Sequence, residues 1–111
     1  MTKQINMIEL DKKYVFHIPL YKYSDGKLIA IEMEGMMDDL IDELGFESLY
    51  MTKVKSLYKK RMYDEILVTV FTSDEAPEVI FENWFRNNNG VLCQEAFAYE
   101  LDGKMVVKKL K

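Results

Sequence analysis

The chain has 111 residues, of which 49% are hydrophobic and 31% charged, and its formal charge is −4. A chain of this length fits one globular domain with one core, so we predict a single domain over residues 1–111. This charge gives no overall attraction to nucleic acid or to an anionic membrane. A single cysteine and the lack of a long apolar run exclude an internal disulfide and a membrane span, and they indicate a cytoplasmic protein.

A central strand is predicted near the N-terminus, at Tyr14–Tyr21. Aromatic and β-branched residues occupy both of its alternating faces, which is typical of a strand inside a sheet. Pro19 cannot donate a hydrogen bond to a neighbouring strand, so we expect a bulge or the end of the strand there. After a turn at 24–26, residues 27–31 fit either a returning strand or the first turns of a helix, and the pattern leaves both open.

Two helices are predicted farther along the chain. The first spans about residues 31–44, where apolar residues recur at the spacing of one helix face and Gly45 stands at the C-terminal cap. The second begins after an N-cap at Ser73 or Asp74. It is expected to end at 87–90, which are three asparagines and a glycine.

The remaining strands flank the second helix. Residues 48–58 are rich in lysine and predict an edge strand, whereas 65–72 are apolar on both faces and predict a buried one. Near the C-terminus, Asp102-Gly103 separates the β-rich runs 91–101 and 104–110. An Asp-Gly pair in that position predicts a β-hairpin.

This order of elements predicts an α+β fold: a ferredoxin-like βαββαβ two-layer sandwich with an extra C-terminal hairpin strand. Right-handed crossovers place both helices on one face of the sheet and leave the second strand and the last strand at its edges. Central strands that are apolar on both faces need a second cover. We therefore predict a homo-oligomer, a homodimer formed through the open sheet face, in which Val15, Leu67 and Phe71 contact the second subunit.

Basic residues cluster in the two predicted edge strands. One run consists of Lys53, Lys55, Lys59, Lys60 and Arg61, and a second lies within 104–111. Lysines on an edge strand hinder its pairing with other molecules, and this is the interpretation that we favour. Nucleic-acid binding is the rival interpretation because tyrosines are interleaved with the first run, although the aromatic motif of RNA-recognition domains is absent.

Acidic residues fill the stretch 32–47, which has no basic residue. Asp38 with Asp42, and Asp39 with Glu43, stand one helical turn apart, a spacing at which two carboxylates can share a divalent cation. The sequence has no glycine-punctuated calcium loop, zinc-ligand spacing, phosphate loop or dinucleotide fingerprint. We therefore interpret the acidic stretch as the solvated face of a helix and predict neither a metal nor a cofactor.

His17 is the only histidine and lies on the predicted central strand. A strand of this kind would hold a general base rigidly, although a lone histidine more commonly has a packed structural role. Cys93 and Glu95 share one face of the adjoining predicted strand. Because thiol catalysis needs a cysteine, a histidine and a carboxylate that converge, these three residues are the candidate catalytic set.

Cys93-Gln94-Glu95 follows the asparagine-rich segment 87–90, and Arg61 precedes the buried strand 66–71. In this layout the chain resembles small ferredoxin-like domains of unknown function, among them a bacterial family in which a strand that starts with Gln-Glu follows a helix. The resemblance implies a fold and no activity.

The sequence favours a small cytoplasmic binding or assembly domain that is homodimeric and not an enzyme. One alternative is a small enzyme that uses His17 with Glu95 or Cys93. The other is a nucleic-acid-binding domain that uses the basic residues of 53–61.

Overall fold

A computed structural model describes residues 9–45 and 48–110, with Tyr58 described by its backbone alone. Two helices pack against one face of a five-stranded sheet, and two further strands form a separate hairpin. In chain order the elements are β1 (Lys12–Pro19), β2 (Tyr21–Ser24), β3 (Lys27–Ala30), α1 (Met36–Leu44), β4 (Ser48–Tyr58), β5 (Arg61–Thr72), α2 (Ala76–Leu92), β6 (Ala96–Leu101) and β7 (Lys104–Lys109). Neither helix has the length and apolar character that crossing a bilayer requires.

The large sheet has the strand order β4-β5-β1-β6-β7, and each neighbouring pair is antiparallel. β1 lies in the middle and ends at Pro19, where the sequence predicted a bulge or an end. β4 and β7 form the two edges of the sheet. The prediction of an α+β domain with two helices and a mostly antiparallel sheet is confirmed.

The finer prediction, the βαββαβ order of a ferredoxin-like fold, is not confirmed. β2 and β3 form a hairpin of their own between β1 and α1, so residues 27–30, which the sequence pattern left open, are a strand. The first helix begins only at Met36 and not near residue 31. Gly35 has φ 79°, a left-handed value that glycine adopts without strain, so the chain turns there before the helix starts.

The second helix is longer than predicted. It continues through 87–90 and ends at Leu92, after which Cys93 adopts a left-handed φ of 54°. The Asn89 side chain accepts a hydrogen bond from the Gln94 backbone nitrogen at 2.9 Å and donates one to the Gln94 carbonyl at 3.0 Å. Asn89 thus lies in the helix and bonds to the residue that follows its end, and the strand predicted from residue 91 starts later, as β6.

The core lies between the two helices and the sheet. Phe16 of β1 stacks on Phe81 of α2, with ring centroids 4.4 Å apart. Trp84 is 5% exposed, and its Nε1 donates a hydrogen bond to the Met36 carbonyl at 2.8 Å, which joins α2 to the start of α1. Trp84 is therefore a core residue.

The Tyr14 hydroxyl is buried and has no hydrogen-bond partner among the described residues. Burial also raises the pKa of this phenol. Because an unpaired buried polar group costs about 1–3 kcal/mol, we expect Tyr14→Phe to raise the free energy of unfolding by about 1 kcal/mol in urea denaturation. Tyr99→Phe is the matched control, since the Tyr99 hydroxyl donates to Glu78 at 3.2 Å and its removal should lower stability. Equal destabilisation by the two changes would contradict the prediction.

Candidate functional site

The candidate site lies on the face of the sheet that is turned away from the helices. Phe16 is in the core, so its neighbours Val15 and His17 point to the opposite face. Leu67 and Phe71 of β5 pair with β1 residues on that face. The residues predicted for this face therefore lie there, whereas a second subunit that covers them stays a prediction.

His17 stands at the centre of this open face, between two carboxylates. Its Nδ1 lies 3.0 Å from Oε2 of Glu65, and its Nε2 lies 3.3 Å from Oε2 of Glu100. The Ser56 hydroxyl on β4 donates a second hydrogen bond to Oε2 of Glu65, at 2.8 Å. Four strands thus contribute to one hydrogen-bonded cluster, which consists of His17, Glu65, Glu100 and Ser56 and is called the histidine cluster below.

Strand register brings these side chains together. His17 pairs with Leu67 on one side and with Ala98 on the other. Glu65 and Glu100 stand two residues from these partners, so alternation puts both of them on the face of His17. The two carboxylates therefore reach the imidazole diagonally from opposite sides.

The charges of the histidine cluster stabilise one another. The hydrogen bond to Glu65 raises the pKa of His17 more than burial lowers it, and the bond to Glu100 acts in the same direction. The hydrogen bond from His17 in turn lowers the pKa of Glu65, and the bond from Ser56 adds to this effect. Protonated His17 donates from both ring nitrogens, so the cluster holds one positive and two negative groups.

This arrangement can bind a positive charge or accept a proton. Both carboxylates contact His17 through Oε2, so Oε1 of each is not used in that contact. The Glu100 side chain is 37% exposed and is the more accessible of the two, because that of Glu65 is 21% exposed. Carboxylates held in this way can form charge-assisted hydrogen bonds to a cationic ligand or act as general bases.

Of the three candidate catalytic residues from the sequence, the structure places His17 in the histidine cluster and the other two elsewhere. Cys93 and Glu95 precede β6 and are exposed, and the Cys93 thiol bonds to the Gly90 carbonyl at 3.4 Å. The carboxylates that bond to His17 are Glu65 and Glu100, which the sequence reasoning missed. The alternation of side chains along β5 and β6 puts both glutamates on the face of His17, but this can be inferred only when the pairing of the strands is known.

The basic run lies along the edge strand β4, the β4–β5 turn and the start of β5. Lys59 and Lys60 form the β4–β5 turn with φ of 49° and 64°, and therefore do not lie on a strand. Nζ of Lys55 lies 3.8 Å from Oδ1 of Asp64, and the Arg61 guanidinium lies 5.6 Å from the centre of the Tyr23 ring. The remaining member, Lys53, lies on the edge strand β4 and is exposed. Lys55 and Arg61 thus contact other side chains of the chain itself.

The acidic stretch and the surface depressions lie apart from the histidine cluster. Asp38, Asp39, Asp42 and Glu43 are exposed on α1. Within residues 9–45 and 48–110, no group of three or more histidine, cysteine or acidic side chains is arranged to hold a metal ion. One shallow depression is lined by residues 32–35, and a smaller one lies between α2 and Lys108. A ligand of the histidine cluster would therefore lie on the sheet face and not in either depression.

Two solved structures share this fold along almost the entire chain. A phage SAM lyase in its apo state superimposes with a TM-score of 0.63 at 10% sequence identity, covering 98% of this chain and 98% of that chain. A phage SAM lyase in complex with S-methyl-5′-thioadenosine gives a TM-score of 0.55 at 7% identity, with 97% and 96% coverage. No family model matches the sequence, and no curated protein matches it. At such low identity the similarity concerns the fold.

These neighbours correct two predictions from the sequence. The predicted binding or assembly domain without enzymatic activity is wrong, because the solved chains that share the fold belong to an enzyme. The resemblance to ferredoxin-like domains of unknown function holds only as far as a small α+β fold with two helices. The alternative prediction, a small enzyme, is the nearer one, whereas its site of His17 with Glu95 or Cys93 is not tested by these neighbours.

Proposed function

We propose that the chain is an enzyme that binds S-adenosylmethionine (SAM) and cleaves it to release S-methyl-5′-thioadenosine. The observation that carries the proposal is the histidine cluster, in which His17 holds Glu65 and Glu100 on the open face. The fold supports it, since it matches a SAM lyase over 98% of both chains. We place the substrate on this face, beside Glu100.

The chemistry of SAM explains why a small site can suffice. Its sulfonium sulfur carries a positive charge, and the reaction breaks the bond from this sulfur to Cγ of the methionine portion. The electron pair stays on sulfur, which becomes the neutral thioether of S-methyl-5′-thioadenosine. The amino-acid fragment then either closes on its own carboxylate or loses a proton to form a double bond. Both routes balance without water, oxidant or reductant, so the protein mainly binds and orients the substrate.

The residues of the open face suit these tasks. SAM has two positive centres, the sulfonium and the α-ammonium, and a carboxylate such as Glu100 is a complementary partner for either. Val15 and Leu67 are the apolar neighbours of His17 on this face. An apolar surrounding favours a step in which the sulfonium charge disappears, because the starting charge is less well solvated there than in water.

The direct test is to incubate the purified protein with SAM and to identify the products by mass spectrometry. We expect S-methyl-5′-thioadenosine well above the uncatalysed amount, and the mass of the amino-acid fragment will tell a lactone from an unsaturated product. Glu100→Gln should reduce the rate by about 100-fold, since it keeps the shape of the side chain and removes its charge.

Glu95→Gln, purified in parallel, is the matched control and should retain the wild-type rate, because Glu95 is exposed and precedes β6. A folded wild-type protein that neither binds SAM in calorimetry nor forms the thioether product would refute the proposed function. Equal rates for Glu100→Gln and the wild type would show that the substrate does not react at the histidine cluster.

A further inference from the structure

We infer that His17 is a positioning residue that holds Glu65 and Glu100 together, and that a cation bound at these carboxylates drives the proton off His17. The inference rests on the proposed function, in which the histidine cluster receives the sulfonium substrate. It adds a property that the lyase reaction does not require, which is the release of a proton when the charged ligand binds.

The first step of the inference is geometric. Each ring nitrogen of His17 is committed to a different carboxylate, at 3.0 Å to Glu65 and 3.3 Å to Glu100. The ring comes from β1, and its partners come from the strands on either side of β1. The doubly protonated imidazole can donate to both carboxylates at once, so this geometry favours the positively charged form.

The second step concerns the other groups around His17. Its direct pairing partners, Leu67 on β5 and Ala98 on β6, do not titrate. From β4 the cluster receives the neutral hydroxyl of Ser56. The β7 residue opposite Ala98 is Val107, which is also uncharged. On the described residues, the charged groups that act on His17 are therefore Glu65 and Glu100, which both favour its proton.

The third step is the effect of a ligand. Glu100 is the more exposed carboxylate, so a cation can reach it without displacing Glu65. A second positive charge within about 4–6 Å of the imidazolium lowers the pKa of His17, because like charges disfavour the charged form. The bound cation also competes with His17 for Glu100, which weakens one of the two hydrogen bonds that favour protonation.

The sign of the pH dependence follows from these steps. In the free protein the pKa of His17 lies above its ordinary value of 6.5. Between the lower pKa of the bound protein and this raised pKa, binding releases a proton, whereas above the raised pKa His17 has already lost it. Affinity for a cationic ligand should therefore increase with pH, by up to about tenfold per pH unit between the pKa of the bound protein and that of the free protein.

The experiment uses two stable analogues of SAM. Sinefungin carries an ammonium group in place of the sulfonium, whereas S-adenosylhomocysteine is a neutral thioether at that position. Because His17 is the only histidine, its imidazole NMR signals report its titration directly. We expect sinefungin to lower the pKa of His17 by about 1 and S-adenosylhomocysteine to change it much less. The affinity of His17→Gln for sinefungin should not vary with pH between the pKa values of His17 in the bound and the free wild type.

The outcomes separate this inference from the proposed function. If sinefungin binds and the pKa of His17 stays the same, the proton release is refuted while SAM binding stands. If neither analogue nor SAM binds, the proposed function fails, and trimethylsulfonium is then the probe. A pKa of His17 that falls with trimethylsulfonium supports a cation site that does not take SAM, and a pKa that stays constant refutes the cation site as well.

Discussion

Replacement of Trp84 with alanine is expected to lower the free energy of unfolding by about 3–5 kcal/mol, the cost of removing a large aromatic side chain from a core. Trp84 is 5% exposed and packs against Phe81 and Phe85, with ring centroids 6.1 Å from each. Its Nε1 also donates a hydrogen bond to the Met36 carbonyl. The substitution therefore opens a cavity and breaks a contact between α1 and α2, and urea denaturation monitored by circular dichroism measures the loss.

Two variants separate these contributions. Trp84→Phe keeps an aromatic ring in the core and removes the bond to the Met36 carbonyl, so we expect a smaller loss than for alanine. Val79→Ala on the outer face of α2 is the surface control, because Val79 is 59% exposed. A Trp84→Ala midpoint equal to that of Val79→Ala would show that Trp84 does not contribute to the core.

Replacement of His17 with glutamine is expected to lower the free energy of unfolding by about 2 kcal/mol near pH 5.5, the scale of a hydrogen bond to a charged partner that is largely removed from water. Without the imidazolium, Glu65 and Glu100 are left on one face of the sheet with no positive charge between them. Partly buried carboxylates without a cation repel each other and lose solvation. Chemical denaturation of both proteins across a pH series measures the difference.

The pH dependence of this stability difference follows from the pKa shifts of His17 and Glu65. The pKa of His17 is raised, so its contribution is complete below 6.5 and is lost as the pH rises through the raised value. The pKa of Glu65 is lowered, so its contribution is complete above 4.5 and is lost as the pH falls through the lowered value. The free energy of unfolding of the wild type should therefore exceed that of His17→Gln by the largest amount between pH 4.5 and pH 6.5. Glu95→Gln should show no such window, and a difference that is constant from acid to alkaline pH would argue against an ion pair at His17.

Much of the fold could be predicted from local patterns. Alternation along β1 and the proline at its end, the apolar spacing of the first helix, and the Asp102-Gly103 turn each depend on a few neighbouring residues. The turn could be predicted from two residues because they have φ of 50° and 84°, values that aspartate and glycine tolerate better than most residues. Where the local pattern was weak or ambiguous, as at 27–30 and 87–90, the element or its boundary was left open or placed wrongly.

The candidate site could be predicted only in part. His17 stood out as the only histidine, on a predicted central strand, but its partners did not, because no local pattern distinguishes Glu65 and Glu100 from the other acidic residues of the chain. The sequence pointed instead to Cys93 and Glu95, which were assigned to a strand that in fact begins after them. Knowing which carboxylates contact an imidazole requires the pairing register of three strands, and no local pattern contains it.

Hydrophobic periodicity, turn chemistry and capping act between residues that are close along the chain, so they predicted the two helices, most of the strands of the large sheet and the apolar surface of the core. The contacts of His17 with Glu65 and Glu100, which lie 48 and 83 positions away, depend instead on how distant strands pair. Strand pairing fixes those contacts, and a shift of one residue in the register would turn these side chains to the other face. The core constrains this register, because Phe16 and its paired neighbour Val68 are both buried on the helix-facing side of the sheet.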